Sequence, residues 1–106
     1  MNSTLMIIET DKGGDTMKRY LMIFEGRVQG VGFRYFTYEL ASSLELTGQV
    51  RNLTNGNVEL EIQGSDESFN RFLKGMLKGN GFMKITDYSM KEIPEISSEK
   101  SFKIVD

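Results

Sequence analysis

A glycine-rich stretch, GRVQGVGFR at residues 26–34, has the composition of an anion-binding loop. It follows an apolar, strand-like run at residues 20–24 and precedes a helical pattern. Because Gly30 and Gly32 carry no Cβ, the backbone there can turn tightly and approach a ligand closely. Successive backbone N–H groups ahead of a helix form a concave site for an anion, and Arg34 in the first turn can add two donors. These residues together predict a phosphate pocket.

The residue types that the chain lacks narrow the chemistry further. The sequence contains no cysteine and no histidine. This absence excludes disulfides, thiolate nucleophiles, a histidine base and the commonest metal ligands. We therefore expect chemistry without a metal or a cofactor, carried by arginine, asparagine, hydroxyls, carboxylates or the backbone.

Hydrophobic periodicity predicts the elements that must position these residues. Asn55-Gly56 is a strong hairpin signal, Ser65 suits a helix N-cap, and Gly48 and Gly79 (or Gly81) are expected to end the two helices. The first strand is apolar on both faces and is expected to be central. Glu59 and Glu61 alternate in a strand and are expected on a solvated face. The predicted strands are residues 18–25, 49–53, 57–63, 82–91 and 101–105, and the predicted helices are residues 33–45 and 66–78.

The order of these elements predicts an α+β, ferredoxin-like fold with the split β-α-β pattern, βαββαβ. In this fold two helices would cover one face of an antiparallel sheet. The first and second strands, joined by a helix, run parallel, so their carboxyl ends lie at one edge of the sheet. Asn52 shares parity with Val50, whereas Arg51 points to the opposite face. We therefore expect Asn52 to lie on the helix side, close to the glycine-rich loop.

The stretch at residues 26–34 resembles the signature of the acylphosphatase family, G-x-V-x-G-V-x-F-R. A second family element, roughly T/S-G-x-V-x-N-x-x-D/N-G-x-V, is matched by TGQVRNLTNGNV at residues 47–58. The resemblance covers about residues 18–105. It implies metal-independent hydrolysis of acyl phosphates, with Arg34 as the phosphate-binding arginine and Asn52 as the asparagine that positions the water.

The residues themselves are consistent with this chemistry. Asn52 can orient a water molecule but is a poor base. A carboxylate leaves a mixed anhydride without protonation, whereas the alkoxide of a phosphate monoester needs an acid, so an acyl phosphate fits best. Charge stabilisation would come from Arg34 and the loop amides. The predicted substrate-binding residues of the loop are Gln29, Gly30, Val31, Gly32 and Phe33.

The length and composition predict one domain, at residues 17–106, after a flexible tail at residues 1–16. The short apolar run at residues 5–8 cannot span a bilayer and lacks the features of a signal peptide, although it could add an edge strand. A net charge of −2 without a basic block argues against nucleic-acid binding. We expect a cytoplasmic monomer whose ligands are a small acyl phosphate and inorganic phosphate, with neither a membrane nor a nucleic acid as partner.

Simpler interpretations remain for each residue alone. The glycines could be turn residues, Arg34 a solvated helix residue and Asn52 part of a hairpin turn. The main alternative function is a module of the same fold that binds a phosphometabolite such as carbamoyl phosphate without rapid turnover. Because the chain ends just after the fold, a free-standing enzyme is favoured. An RNA-binding module is a third possibility, but aromatic motifs and a basic face are missing. Departures from the family pattern, at Gln49, residues 55–56 and residues 79–84, are expected to affect packing more than catalysis.

Overall fold

The computed structural model describes residues 16–106. Residues 1–15 of the predicted tail, which was residues 1–16, lie outside this range, as does the possible edge strand at residues 5–8. The described residues form five strands and two helices in the order β-α-β-β-α-β-β. The elements are β1 (Met17–Arg27), α1 (Phe33–Ser43), β2 (Thr47–Asn52), β3 (Val58–Ser65), α2 (Asp66–Lys78), β4 (Lys84–Ile93) and β5 (Phe102–Ile104).

The strands form one sheet in the order β4-β1-β3-β2-β5. The predicted β-α-β-β-α-β core and the central place of β1 are confirmed, but the prediction of an antiparallel sheet is wrong at one edge. β5 pairs parallel to β2, with Val50 opposite Ile104. The physical reason is that residues 94–101 cross the sheet to its far edge before β5 begins. The carboxyl ends of β1, β2 and β5 consequently lie at the same edge of the sheet.

The hydrophobic core fills the space between the sheet and the two helices. α1 packs against β2 and β5, and α2 packs against β3. Six strand residues of even number that face the helices are fully buried, as the alternation predicted. The core side chains are Met22, Phe24, Val50, Val58, Leu60 and Ile62 from the strands, and Phe33, Ala41, Phe69, Phe72 and Met76 from the helices.

The predicted limits of α2 are confirmed, and those of α1 are wrong at the C-terminal end. Ser65 caps α2 by accepting a hydrogen bond from the Ser68 amide at 3.2 Å, and Gly79 follows it with φ of 75°. α1 ends at Ser43, and Glu45 rather than a glycine takes the positive φ, 61°. Gly48 belongs to β2, where the backbone of Glu61 leaves no room for a Cβ. Gly48 is therefore a close-approach glycine and does not end the helix.

The face of the sheet opposite the helices differs from the solvated surface that was expected. Arg19 lies on this face and is only 2% exposed. Its guanidinium donates to Glu61 Oε1 and to Glu99 Oε1, both at 2.8 Å. Residues 94–101 lie over this face, and the backbone of Ile96 is hydrogen bonded to the Gln63 side chain. Glu61 therefore alternates with apolar residues because it pairs with the buried Arg19. The strand pattern alone does not distinguish such an ion pair from a solvated face.

Candidate active site

A cavity of about 230 Å³ opens at the edge where β1, β2 and β5 end. The glycine-rich loop follows β1, α1 begins directly after this loop, and Asn52 ends β2. The predicted juxtaposition of the loop with Asn52 is therefore present. The lining residues are Val28, Gly30, Gly32, Phe33, Arg34, Tyr35, Asn52 and Ile104.

The loop presents backbone donors because two glycines turn it. Gly30 and Gly32 have φ of 73° and 76°, values that residues with a Cβ rarely adopt. Gly32 is the N-cap of α1, and no side chain within residues 16–106 caps the helix. Phe36 donates to the Gly32 carbonyl at 2.9 Å, as the regular helical pattern requires. The amides of residues 33–35, which precede Phe36, thus have no acceptor within the helix and are available to an anion at the helix N-terminus.

Arg34 is half-buried at the cavity, and its charge is not compensated within the described chain. No Asp or Glu between residues 16 and 106 lies within ion-pair distance of its guanidinium. A guanidinium offers five donors in a planar fork that matches a tetrahedral oxyanion. The cavity therefore combines a cation with the positive end of a helix dipole.

Asn52 lies on the helix side of β2, whereas Arg51 lies on the opposite side. Val50, two residues before Asn52, is fully buried beneath α1. Arg51 instead donates to Glu59 Oε1 at 2.8 Å on the other face of the sheet. The Oδ1 atom of Asn52 is buried and has no hydrogen-bond partner among residues 16–106. Asn52 also lines the cavity, and a rotation of its amide would bring this unpartnered oxygen to a molecule that enters there.

Two of the predicted loop residues, Gln29 and Val31, do not line the cavity. The Gln29 side chain donates to the carbonyls of Leu53 and Asn57, both at 2.8 Å. It thereby ties the loop to the β2–β3 hairpin. The Val31 carbonyl accepts a hydrogen bond from Asn80 Nδ2 at 3.0 Å, which ties the loop to the segment between α2 and β4. The structure thus brings Gly30, Gly32 and Phe33 to the cavity, and it places the other two in anchoring contacts.

The cavity also contains residues that sequence reasoning missed. Ile104, 41% exposed, reaches the site because β5 runs parallel to β2. Tyr35, 62% exposed, follows Arg34 in the first turn of α1. The neighbouring Glu39 carboxylate raises the pKa of Tyr35 above its ordinary value of 10. Tyr35 could have been predicted at the cavity from the sequence, because it follows Arg34. Ile104 could not, because its place depends on the direction of β5.

Between residues 16 and 106 no group of three or more Asp or Glu side chains is placed to hold a metal ion. Within the same range, neither helix is long and apolar enough to cross a membrane.

The fold and both sequence elements define a class of ferredoxin-like α+β domains. The family model of acylphosphatase matches residues 20–104, and the chain belongs to the acylphosphatase family. The acylphosphatase of Clostridium acetobutylicum is 49% identical over 89 residues, which cover 84% of this chain and 98% of that protein.

Two solved structures show the same fold. The crystal structure of acylphosphatase from Bacillus subtilis superposes with a TM-score of 0.79 at 36% identity, covering 86% of this chain and 100% of that one. The HypF protein of T. kodakarensis is similar with a TM-score of 0.75 at 31% identity, over 84% of this chain but 12% of that one. The predicted family is therefore confirmed, and HypF shows that a similar domain also occurs within a longer protein.

Proposed function

We propose that this chain hydrolyses acyl phosphates, the reaction of its family, at the cavity between the glycine-rich loop and Asn52. The products are a carboxylate and inorganic phosphate. One observation carries the proposal: Arg34, whose guanidinium is uncompensated, and Asn52, whose Oδ1 is buried without a partner, line the same small cavity. Neither group has a structural partner in the described chain, and a phosphoryl group with its attacking water would satisfy both.

In the proposed complex the phosphoryl group occupies the loop. Its oxygens accept hydrogen bonds from the amides of the loop and of the first turn of α1, and from the two-pronged guanidinium of Arg34. These donors are fixed by the fold before the substrate arrives, so little reorganisation is needed when charge shifts onto the equatorial oxygens. Arg34 therefore contributes to binding and to transition-state stabilisation.

Asn52 positions the nucleophile in this mechanism. Its Oδ1 accepts a hydrogen bond from a water molecule and holds the water oxygen in line with the bond to be broken. The water oxygen forms a bond to phosphorus while the bond from phosphorus to the acyl oxygen breaks. The carboxylate departs with the bonding electrons and needs no proton, and the proton of the water passes to the phosphate product or to solvent.

This account favours an enzyme over a module that only binds a phosphometabolite. The relative from Clostridium acetobutylicum, itself named acylphosphatase, is matched over 98% of its length, whereas HypF is matched over 12%. We further propose that the chain acts as a monomer, which sedimentation equilibrium would test. A cytoplasmic location remains a prediction that cell fractionation would test.

Release of inorganic phosphate from acetyl phosphate and benzoyl phosphate tests the proposal. The purified chain should hydrolyse both at a rate unaffected by EDTA, and it should leave a phosphate monoester such as phenyl phosphate nearly untouched. Added inorganic phosphate should inhibit competitively, because it occupies the same loop. Turnover that is lost in EDTA and restored by one divalent ion would contradict the metal-free mechanism, and turnover no faster than the uncatalysed reaction would reject the function.

A further inference from the structure

The segment between α2 and β4, residues 79–83, lies at the same edge of the sheet as the cavity. α2 follows β3 and runs back to this edge, and β4 begins there with Lys84 paired to Arg27 at the end of β1. Asn80, within this segment, donates from Nδ2 to the Val31 carbonyl at 3.0 Å. The contact joins two parts of the chain that are 49 residues apart.

The orientation of the Asn80 amide is fixed by its other contacts. Its Oδ1 accepts hydrogen bonds from the backbone amides of Phe82 at 2.9 Å and Met83 at 3.0 Å. Two N–H donors require the oxygen of the side-chain amide on their side, so the NH₂ group must face Val31. The positive φ angles of Gly79 and Gly81, 75° and 89°, give the segment the tight shape that these bonds need.

We propose that Asn80 is a positioning residue for the phosphate loop, an inference that rests on the proposed function. The Val31 carbonyl and the Gly32 N–H belong to one planar trans peptide and point in opposite directions. By holding the carbonyl oxygen on its own side, Asn80 keeps the Gly32 N–H directed at the cavity. Without this bond the peptide can rotate and present its carbonyl oxygen to the phosphoryl group, which repels it.

The packing around the loop explains why this bond matters. The Gln29 side chain anchors the loop ahead of Gly30, and the core anchors Phe33 after Gly32. Between these anchors a Cβ added at Gly30 would meet no atom within 4 Å, and one added at Gly32 would meet only Asn80 Nδ2, at 3.7 Å. Apart from the adjoining residues of the chain, Asn80 is thus the nearest described neighbour to the position that a Gly32 side chain would take.

Two substitutions test the proposal through the binding of inorganic phosphate, measured by titration calorimetry well below the unfolding temperature. Asn80→Ala removes every side-chain bond. Asn80→Asp keeps an acceptor for Phe82 and Met83 but replaces the donor to Val31 with a carboxylate oxygen. Both variants should bind phosphate roughly tenfold more weakly, with Asn80→Asp at least as impaired as Asn80→Ala. The matched control is Asn70→Asp, which adds the same charge on the exposed side of α2 and should change affinity little.

A spectroscopic signature separates positioning from a purely structural role. In the wild-type protein, phosphate should shift the NMR signal of the Gly32 amide proton downfield, and this shift should shrink in both variants. Variants that unfold at lower temperature yet keep the wild-type phosphate affinity would overturn the proposal, as would a wild-type Gly32 signal that phosphate does not move. If the wild-type protein neither binds phosphate nor hydrolyses acetyl phosphate, the proposed function itself fails; an active wild type with unaffected variants rejects only the role of Asn80.

Discussion

Two arginines of this chain, Arg34 and Arg19, show how different surroundings give the same side chain different roles. Arg34 lines the cavity half-buried, without a carboxylate partner among residues 16–106. Arg19 lies on the opposite face of the sheet at 2% exposure, bonded to two carboxylates and to the Gln63 side chain. A buried cation is tolerated only when it is paired, and two carboxylates compensate the charge of Arg19, although its Nε has no hydrogen-bond partner among residues 16–106. We propose that Arg34 instead keeps its donors for a ligand.

The surroundings of Arg19 indicate a role in stabilising the fold, whereas those of Arg34 indicate a role in the proposed reaction. The Arg19 cluster fixes residues 94–101 across the sheet, because Glu99 belongs to that segment. That segment leads into β5, which places Ile104 at the cavity. Arg19 is therefore expected to contribute to stability, and Arg34 to binding and turnover.

The largest effect is expected for Arg34→Ala. Losing the planar guanidinium should cost at least about 3 kcal/mol of transition-state stabilisation, which is measured as a lower kcat/KM. Arg34→Lys should recover only part of the loss, because an ammonium cannot bind two oxygens in the same plane. Steady-state kinetics measure the loss of kcat/KM. Thermal unfolding measures stability, and Tm should stay close to wild type. A fully active Arg34→Ala protein would remove Arg34 from the mechanism.

Asn52→Ala should lower kcat roughly a hundredfold while phosphate affinity changes little, because Asn52 acts mainly in the transition state. Asn52→Asp should also be impaired, since a carboxylate repels the phosphoryl group. The matched control is Arg51→Ala on the other face of β2, which should be nearly silent in turnover. The assignment of faces would be wrong if Arg51→Ala abolished activity and Asn52→Ala retained it.

Arg19→Met should destabilise the fold by about 2 kcal/mol, because two neighbouring carboxylates lose their counter-ion. The expected value is smaller than for a fully buried pair, since both carboxylates remain partly hydrated. Urea unfolding measures the loss, and adding Glu99→Gln to Arg19→Met should restore part of it. The kcat/KM of the folded variant should stay near wild type. A selective loss of kcat/KM without a loss of stability would contradict the division between the two arginines.

A smaller effect is expected from the titration of Glu99. Burial alone raises its pKa, but the hydrogen bonds from Arg19 and Thr47 outweigh burial and hold the pKa below its ordinary value of 4.5. A lowered pKa means that the contribution to stability is complete above pH 4.5 and is lost as the pH falls through the folded-state value. Urea midpoints should therefore fall more steeply below this pH in the wild type than in Glu99→Gln. Identical slopes would show that the Glu99 bonds add no stability.

Much of the fold, and the placement of Arg34 and Asn52 at one cavity, could be predicted because local patterns encode them. Val50 and Asn52 are two residues apart in a strand, which predicted that they share one face of β2 and that Arg51 lies on the other. Ser65 and Gly79 marked the ends of α2. The end of α1 was misplaced because Gly48 was interpreted as a helix stop. Its glycine is required instead by the approach of the β3 backbone at Glu61.

The remaining features depend on contacts between distant segments, which periodicity does not describe. The three-residue strand β5 carries no signal for its direction, so its parallel pairing and the place of Ile104 were missed. The Gly-Asn-Gly segment was expected to affect packing, yet Asn80 contacts the phosphate loop. Glu61 alternates like a solvated residue although its partner, Arg19, is buried. Each error concerns a partner far away along the chain.

Calorimetric titration of inorganic phosphate into the wild-type protein, Arg34→Met and Arg19→Met tests the central claim most directly. The two substitutions remove the same charge with a similar change in shape, and the measurement does not depend on turnover. The account predicts that Arg34→Met loses most of the phosphate affinity of the wild type, whereas folded Arg19→Met keeps it. Wild-type affinity in Arg34→Met, or an equal loss in both variants, would contradict the claim that Arg34 is the arginine reserved for the phosphoryl group.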